Sequence, residues 1–190
     1  MKRIIIFASG SGTNAENIIK YFKTTQTAIV TQVLSNKQNA KVFERCKRLN
    51  INCLHFNKEQ FSKTNFILNL LKEKADYIIL AGFLWKVPNK ITDVFPNKII
   101  NIHPALLPKY GGKGMYGMHV HKAVKEKKET ETGVTIHFVN EKYDDGAIIF
   151  QAKTSISADD TPEKIAKKVH ELEYKHFPVI IEKVILEENE

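Results

Sequence analysis

Short apolar runs alternate with helix-like segments along the first hundred residues, and this alternation constrains the fold most strongly. The runs are rich in β-branched residues and continuous, which is typical of parallel strands buried on both faces. They predict five strands, at residues 3–8, 29–34, 52–56, 77–81 and 99–103. Strands that alternate with helices form βαβ units and a mostly parallel sheet.

The segments between these runs have the apolar spacing of helices, which we predict at residues 14–22, 39–49, 60–74 and 87–95. In the second half, residues 132–139 and 148–155 predict an antiparallel pair of strands. A Thr-Pro-Glu start at residue 161 predicts a last helix to about residue 184, with Ile165, Val169, Leu172 and Val179 on its apolar side. The predicted fold class is therefore α/β: a Rossmann-like, mostly parallel sheet flanked by helices, with antiparallel strands near the C-terminal part.

The bulk properties are those of one globular domain spanning residues 1–190, with 43% apolar and 26% charged residues. No apolar run approaches the roughly 20 residues of a membrane span, so we expect no membrane association. We interpret the N-terminus as a strand rather than a signal peptide. Cys46 and Cys53 are too few for a disulfide framework or a zinc site, and we expect a reducing, cytoplasmic location.

The net charge of +8 is the one unusual bulk value. It is compatible with nucleic acid, an anionic surface or an anionic small substrate, and also with a simple compositional bias toward lysine. We find no helix-turn-helix, RNA-binding sheet motif or zinc finger, and therefore expect no nucleic-acid partner. His119 and His121 have the look of metal ligands but lack a third ligand at a diagnostic spacing, so we expect no metal.

Ligands in such folds bind beyond the carboxyl ends of the parallel strands, here just after residues 8, 81 and 102, and three polar segments of the chain are candidates for chemistry. The first, SGSGTN at residues 9–14, combines glycines with a helix start, which favours an anion such as phosphate. It has no Walker lysine and is a poor dinucleotide fingerprint. The alternative is a tight turn in which Thr13 or Asn14 merely caps the helix.

The second segment places Asn101 and His103 on one side of a strand. An amide donor beside an imidazole can stabilise an oxyanion and move a proton, although the imidazole of a strand-end histidine can also simply bond to backbone. The third, DDG at residues 144–146, offers a carboxylate that could orient His103, but ordinary turn chemistry explains it equally well. Aromatic residues at 83–85 could hold a flat heterocycle or pack in the core.

Together these segments resemble the phosphoribosylglycinamide formyltransferase family, the folate-dependent enzymes of purine synthesis, over nearly the whole chain. The most specific motif is NIHPALLP at residues 101–108, which is typical of folate-type formyltransferases. The others are SGSGTN, LSN at 34–36, LAGF at 80–83, GVTIHFV at 133–139, DDG and Gln151.

The resemblance implies residue roles for the acceptor and the chemistry. Asn101, His103 and Asp144 match the catalytic residues. The turn residues Gly12, Thr13 and Asn14 match those that bind the phosphate of glycinamide ribonucleotide. Glu173 matches an acid that binds its glycinamide portion.

The resemblance also implies a site for the formyl donor, 10-formyltetrahydrofolate. The expected donor-binding residues are Lys63, Leu84, Trp85, Lys86, Val87, Asn101 and Asn140. Trp85-Lys86 departs from the smaller residue and arginine common in the family. Asp145 replaces a frequent glycine and is expected to shift the titration of Asp144. The glycine-rich segment at residues 109–118 is longer than in many members and suggests a mobile flap.

The implied reaction is direct transfer, in which the acceptor amine attacks the formyl carbon and forms a tetrahedral intermediate. Asn101 would donate to the oxyanion, protonated His103 would pass a proton to N10, and Asp144 would favour the imidazolium. The protein would be a monomer or homodimer. Formyltetrahydrofolate deformylase and methionyl-tRNA formyltransferase are related alternatives whose usual extra domains do not fit in 190 residues. A structural nucleotide-binding protein without turnover is a further alternative.

Overall fold

The computed structural model describes residues 1–187 and contains a seven-stranded sheet. The strands are β1 Lys2–Phe7, β2 Ala28–Ser35, β3 Cys53–His55, β4 Tyr77–Leu80, β5 Ile99–His103, β6 Glu131–Phe138 and β7 Ile148–Ser155. Their order is β3-β2-β1-β4-β5-β6-β7, parallel up to β5 and antiparallel for β6 and β7. The predicted α/β fold class with antiparallel C-terminal strands is confirmed.

The helices are α1 Thr13–Thr25, α2 Val42–Leu49, α3 Lys58–Ser62, α4 Phe66–Lys74, α5 Asn89–Thr92, α6 Met118–Glu126 and α7 Pro162–Glu187. One hydrophobic core lies between the sheet and α1, α2 and α7, and a second lies between the sheet and α3, α4 and α5. Strand β1 shows why the apolar runs are continuous. Ile4 and Ile6 enter the first core, whereas Ile5 and Phe7 enter the second.

Several predicted helices were wrong in extent. The segment 60–74 forms two helices. An Asn57–Gln60 capping box starts α3 at Lys58, and the polar residues 63–65 separate α3 from α4. The helix predicted at 87–95 is only α5. Helix α6, which begins where the glycine-rich segment ends, was not predicted.

The predicted apolar side of the last helix is confirmed in its first half and wrong in its second. Ile165 and Val169 are buried and Leu172 packs against the core, but Val179 is 46% exposed. The remaining buried side chains are Glu173, Phe177, Pro178, Ile181 and Ile185. A carboxylate thus occupies one position of an otherwise apolar ladder. No helix in residues 1–187 is both long and apolar enough to cross a membrane.

Candidate active site

A cleft of about 660 Å³ lies beyond the carboxyl ends of β1, β4 and β5. Strands β1 and β4 are neighbours, but the chain runs from β1 to β2 on one side and from β4 to β5 on the other. A crevice therefore opens between the loops that follow β1 and β4. The cleft brings together eight predicted site residues from distant parts of the sequence: Gly12, Thr13, Asn14, Leu84, Asn101, His103, Asp144 and Glu173.

Five predicted donor-side residues do not line this cleft. Trp85 packs edge-to-face against Phe56, with ring centroids 6.0 Å apart, and Val87 is buried in the second core. Lys63 and Lys86 are exposed, and the former lies in the break between α3 and α4. Asn140 accepts a hydrogen bond from the Lys142 backbone N–H at 2.9 Å. The rings of Phe83 and Trp85 thus pack against the second core, while Phe83 and Leu84 also line the cleft.

The glycine-rich turn after β1 packs closely against the start of α2. Gly12 has φ 72°, a left-handed conformation, and a Cβ there would overlap the Val42 side chain. Gly12 itself occupies the N-cap, and neither Thr13 nor Asn14 caps the helix, so that alternative explanation of the turn was wrong. The first-turn backbone N–H groups therefore remain without a side-chain cap at the cleft, where Lys37 also lies.

Ser9 connects the three loops that form this edge of the cleft. Its hydroxyl donates to Asn36 Oδ1 at 2.6 Å and accepts from the Leu84 backbone N–H at 3.0 Å. Its backbone N–H donates to the Gly82 carbonyl. Because Ser9 is buried, these bonds hold the loops after β1, β2 and β4 in one arrangement.

His103 and Asp144 lie next to each other although 40 positions separate them in the chain. His103 Nδ1 is 3.6 Å from Asp144 Oδ2, and His103 Nε2 donates to the Tyr110 carbonyl at 2.7 Å. The same Asp144 oxygen accepts from the Gly112 backbone N–H at 2.9 Å. Asp144 has φ 51°, a conformation that aspartate tolerates better than most residues. The turn between β6 and β7 thus delivers a carboxylate to the end of β5.

Burial sets the protonation state of this pair. It lowers the pKa of His103 below its ordinary value, against the opposing effects of Asp144 and the Tyr110 carbonyl. Burial also disfavours ionisation of Asp144, but His137, the charge of His103 and the Gly112 N–H outweigh it and leave the pKa of Asp144 below normal. The free site therefore favours a neutral imidazole beside a carboxylate.

Asn101 is held by a residue for which the sequence suggested no role. β-sheet pairing places Asn101 opposite His137, and Asn101 Nδ2 lies 3.1 Å from His137 Nε2. When the ring is neutral, His137 Nδ1 donates to the Phe138 carbonyl at 2.8 Å and Nε2 accepts one amide hydrogen of Asn101. Nε2 also lies 3.7 Å from Asp144 Oδ1, so a proton there would face that carboxylate. The second hydrogen of the Asn101 amide remains available to the cleft.

Glu173 is buried rather than solvated, with 5% of its surface exposed. Its Oε2 accepts from Asn14 Nδ2 at 2.9 Å and lies 2.7 Å from His170 Nδ1. The Glu173 bond raises the pKa of His170. The bond between Glu173 and Asn14 joins α7 to the start of α1, directly after the glycine-rich turn. Asp145, in contrast, is exposed and lies 3.8 Å from Lys142 Nζ.

Sequence reasoning gave no role to the cleft residues Lys37 and His170, and it considered His121 only as a possible metal ligand. His121 lies on the unpredicted helix α6, and His170 shows its role only through its contact with Glu173. Within residues 1–187, no group of three or more histidine, cysteine, aspartate or glutamate side chains has the arrangement of a metal site.

Comparison with known proteins places this architecture in a family. Residues 2–181 match the family model described as formyl transferase. The chain is 38% identical over 187 residues to phosphoribosylglycinamide formyltransferase of Haemophilus influenzae, covering 95% of this chain and 86% of that protein. It is 37% identical to the chloroplastic enzyme of the same name from Arabidopsis thaliana, of which it spans 64%.

A solved structure supports the same assignment. The crystal structure of phosphoribosylglycinamide formyltransferase from Bacillus halodurans is 35% identical, with a TM-score of 0.87 over 97% of this chain and 95% of that one. Sequence motifs, fold and cleft thus agree, and the chain belongs to the phosphoribosylglycinamide formyltransferase family of one-carbon group transferases.

Proposed function

We propose that this chain transfers the formyl group of 10-formyltetrahydrofolate to the amine of glycinamide ribonucleotide. The observation that carries the proposal is one cleft with an anion-type turn at one end and the Asn101, His103 and Asp144 side chains at the other. The names of the relatives supply the acceptor. Residues 1–190 act as one formyltransferase domain in this proposal.

The phosphate of the acceptor binds at the start of α1. Backbone N–H groups of a helix N-terminus stabilise an anion, and no side-chain cap occupies those of α1. Thr13 and Asn14 line the same end of the cleft. Glu173 accepts a hydrogen bond from Asn14 and, in this proposal, faces the glycinamide portion of the acceptor. The positive charge of Lys37 favours capture of this anionic substrate.

The formyl donor binds at the opposite end, near Leu84 and Asn101. Residues 84–87 offer backbone groups to the pterin, since Trp85 and Val87 direct their side chains into the core. Asn140 and Lys63 lie outside the cleft lining, and we assign them only to the outer part of the donor, the glutamate tail in the case of Lys63.

The transfer begins with attack of the neutral amine on the formyl carbon. The formyl oxygen becomes an oxyanion, which accepts the second Asn101 amide hydrogen. The attacking nitrogen gains a positive charge at the same time. His103 Nδ1 accepts a proton from that nitrogen, because Nε2 already carries the hydrogen donated to Tyr110.

Collapse of the intermediate returns this proton. Asp144 and the oxyanion stabilise the imidazolium, so His103 is protonated only while charge is present beside it. His103 then gives the proton to N10 as the C–N10 bond breaks and the carbonyl forms again. The products are formylglycinamide ribonucleotide and tetrahydrofolate, and the chain supplies orientation, one hydrogen-bond donor and one proton carrier.

The test is an assay of the purified chain with both substrates, with products identified by mass spectrometry. The proposal expects formylglycinamide ribonucleotide and tetrahydrofolate in equal amounts. Formate released at the same rate without the acceptor would show a hydrolase instead. Binding of glycinamide ribonucleotide with neither product would show a nucleotide-binding protein without turnover.

A further inference from the structure

His121 is a buried histidine of the cleft that the proposed reaction does not use. It lies on α6, lines the cleft and is 5% exposed. Its Nδ1 is buried and has no hydrogen-bond partner among residues 1–187. A buried polar atom without a partner costs about 1–3 kcal/mol, so few remain in folded proteins without a reason.

The surroundings of His121 place it between the two ends of the cleft. Its ring lies close enough to Glu173, His170 and His103 for their charges to influence its pKa. Asn14, to which Glu173 is bonded, lies at the phosphate end, whereas His103 lies at the reacting end. In the proposed binding mode the middle of the acceptor, between its phosphate and its amine, lies near this ring.

The protonation state of His121 limits what it can bind. Burial lowers the pKa of His121 to about 4, so the ring is neutral at pH 7. A neutral imidazole has one N–H donor and one acceptor nitrogen. It suits an uncharged polar group, because no further charge is then buried.

We propose that His121 binds the acceptor substrate through a hydrogen bond to a neutral group, a ribose hydroxyl or the amide N–H, between the phosphate and the amine. This inference rests on the proposed function. This hydrogen bond forms only when the acceptor binds. The His121 Nδ1 without a partner destabilises the free protein, and binding of the acceptor removes that destabilisation, which increases the affinity. His121 is then a specificity residue for the acceptor, with no part in proton transfer.

Variants of two histidines on α6 test this role by steady-state kinetics. His121→Asn and His121→Phe should raise the acceptor KM by about 5- to 30-fold, the value of one lost hydrogen bond, while kcat and the donor KM stay within about twofold. His119→Asn is the matched control, because His119 is exposed on the same helix with a ring contact only to Tyr116. It should change neither KM.

An unchanged acceptor KM in folded His121 variants, or an equal rise of both KM values, would overturn the role of His121. A wild-type chain that does not form formylglycinamide ribonucleotide would overturn the proposed function as well. Wild-type turnover with unaffected His121 variants would overturn the inference alone. Acceptor analogues that lack one ribose hydroxyl identify the partner: the cost of His121→Asn disappears if that hydroxyl is bonded and persists if the amide is.

The wild-type protein provides a measurement that does not depend on the folding of a variant. Nitrogen-15 NMR of the histidine rings, recorded with glycinamide ribonucleotide alone, should show a change at the His121 nitrogens larger than that at His119. No change at His121 on saturation with the acceptor would overturn the proposal.

Discussion

Thr135 holds the loop that follows His103, and its hydroxyl should be worth several kilocalories per mole. The hydroxyl donates to the Ala105 carbonyl at 2.7 Å and accepts from the Leu107 N–H at 3.0 Å. It also accepts from Gln151 Nε2 at 2.9 Å. Thr135 and Ala105 are fully buried, so water cannot replace these bonds.

Replacement of Thr135 by valine keeps the shape of the side chain and removes the hydroxyl. The Ala105 carbonyl and the Leu107 N–H lose this partner, at about 1–3 kcal/mol each, so we expect a loss of about 2–5 kcal/mol in the free energy of unfolding. Gln151 keeps its bond to the Leu107 carbonyl at 3.0 Å, which limits the cost. For a chain of this size, the melting temperature should fall by about 5 to 15 °C.

The stability of Thr135→Val and Thr135→Ser is measured by urea unfolding with circular dichroism. The kcat of each variant is measured separately under native conditions. Serine keeps the hydroxyl and loses a methyl group, so it should cost about 1 kcal/mol. Because the loop begins directly after His103, the valine variant should also lose more kcat than the serine variant. Unfolding free energies of the two variants within about 0.5 kcal/mol of each other would refute the reasoning.

Three further predictions follow from the cleft. Asp144→Asn should lower kcat by about 100-fold or more with folding retained, because the His103 imidazolium loses its carboxylate. Asp145→Asn, a change at the exposed neighbour, should leave kcat near wild type. A near-normal kcat for Asp144→Asn would exclude the proposed role of Asp144. Gly12→Ala should cost about 1–3 kcal/mol of stability, because the new Cβ overlaps Val42, and should raise the KM for glycinamide ribonucleotide. Gly10→Ala has open space around its Cβ and should change neither stability nor KM. Equal behaviour of the two variants would contradict the assigned geometry. The pKa values of His103 and His121 are lowered by folding, so the unfolded chain binds more protons below pH 6.5 and the free energy of unfolding should fall as the pH drops from 6.5 to about 4. Urea unfolding at several pH values should show a shallower decline for His121→Asn, and identical slopes would show that His121 does not titrate as described.

The sequence alone determined the fold class and the location of the site. Continuous apolar runs such as residues 3–8 can be satisfied only between two cores, and the structure buries Ile4 and Ile5 on opposite faces accordingly. Because parallel strands align their carboxyl ends, the polar residues after β1 and at the end of β5 had to meet at one edge. Asn101 and His103 were therefore predictable from local pattern, since a strand brings alternate residues to one side.

Only the tertiary structure decided the partners and charges of these groups. Local sequence does not encode distances between remote segments, so the 3.6 Å approach of Asp144 to His103 depends on the pairing of β5, β6 and β7. Burial, a property of the whole packed chain, lowers the pKa of His103, which local sequence does not reveal. The same packing buries Glu173, because α7 lies against the sheet with that carboxylate at the cleft.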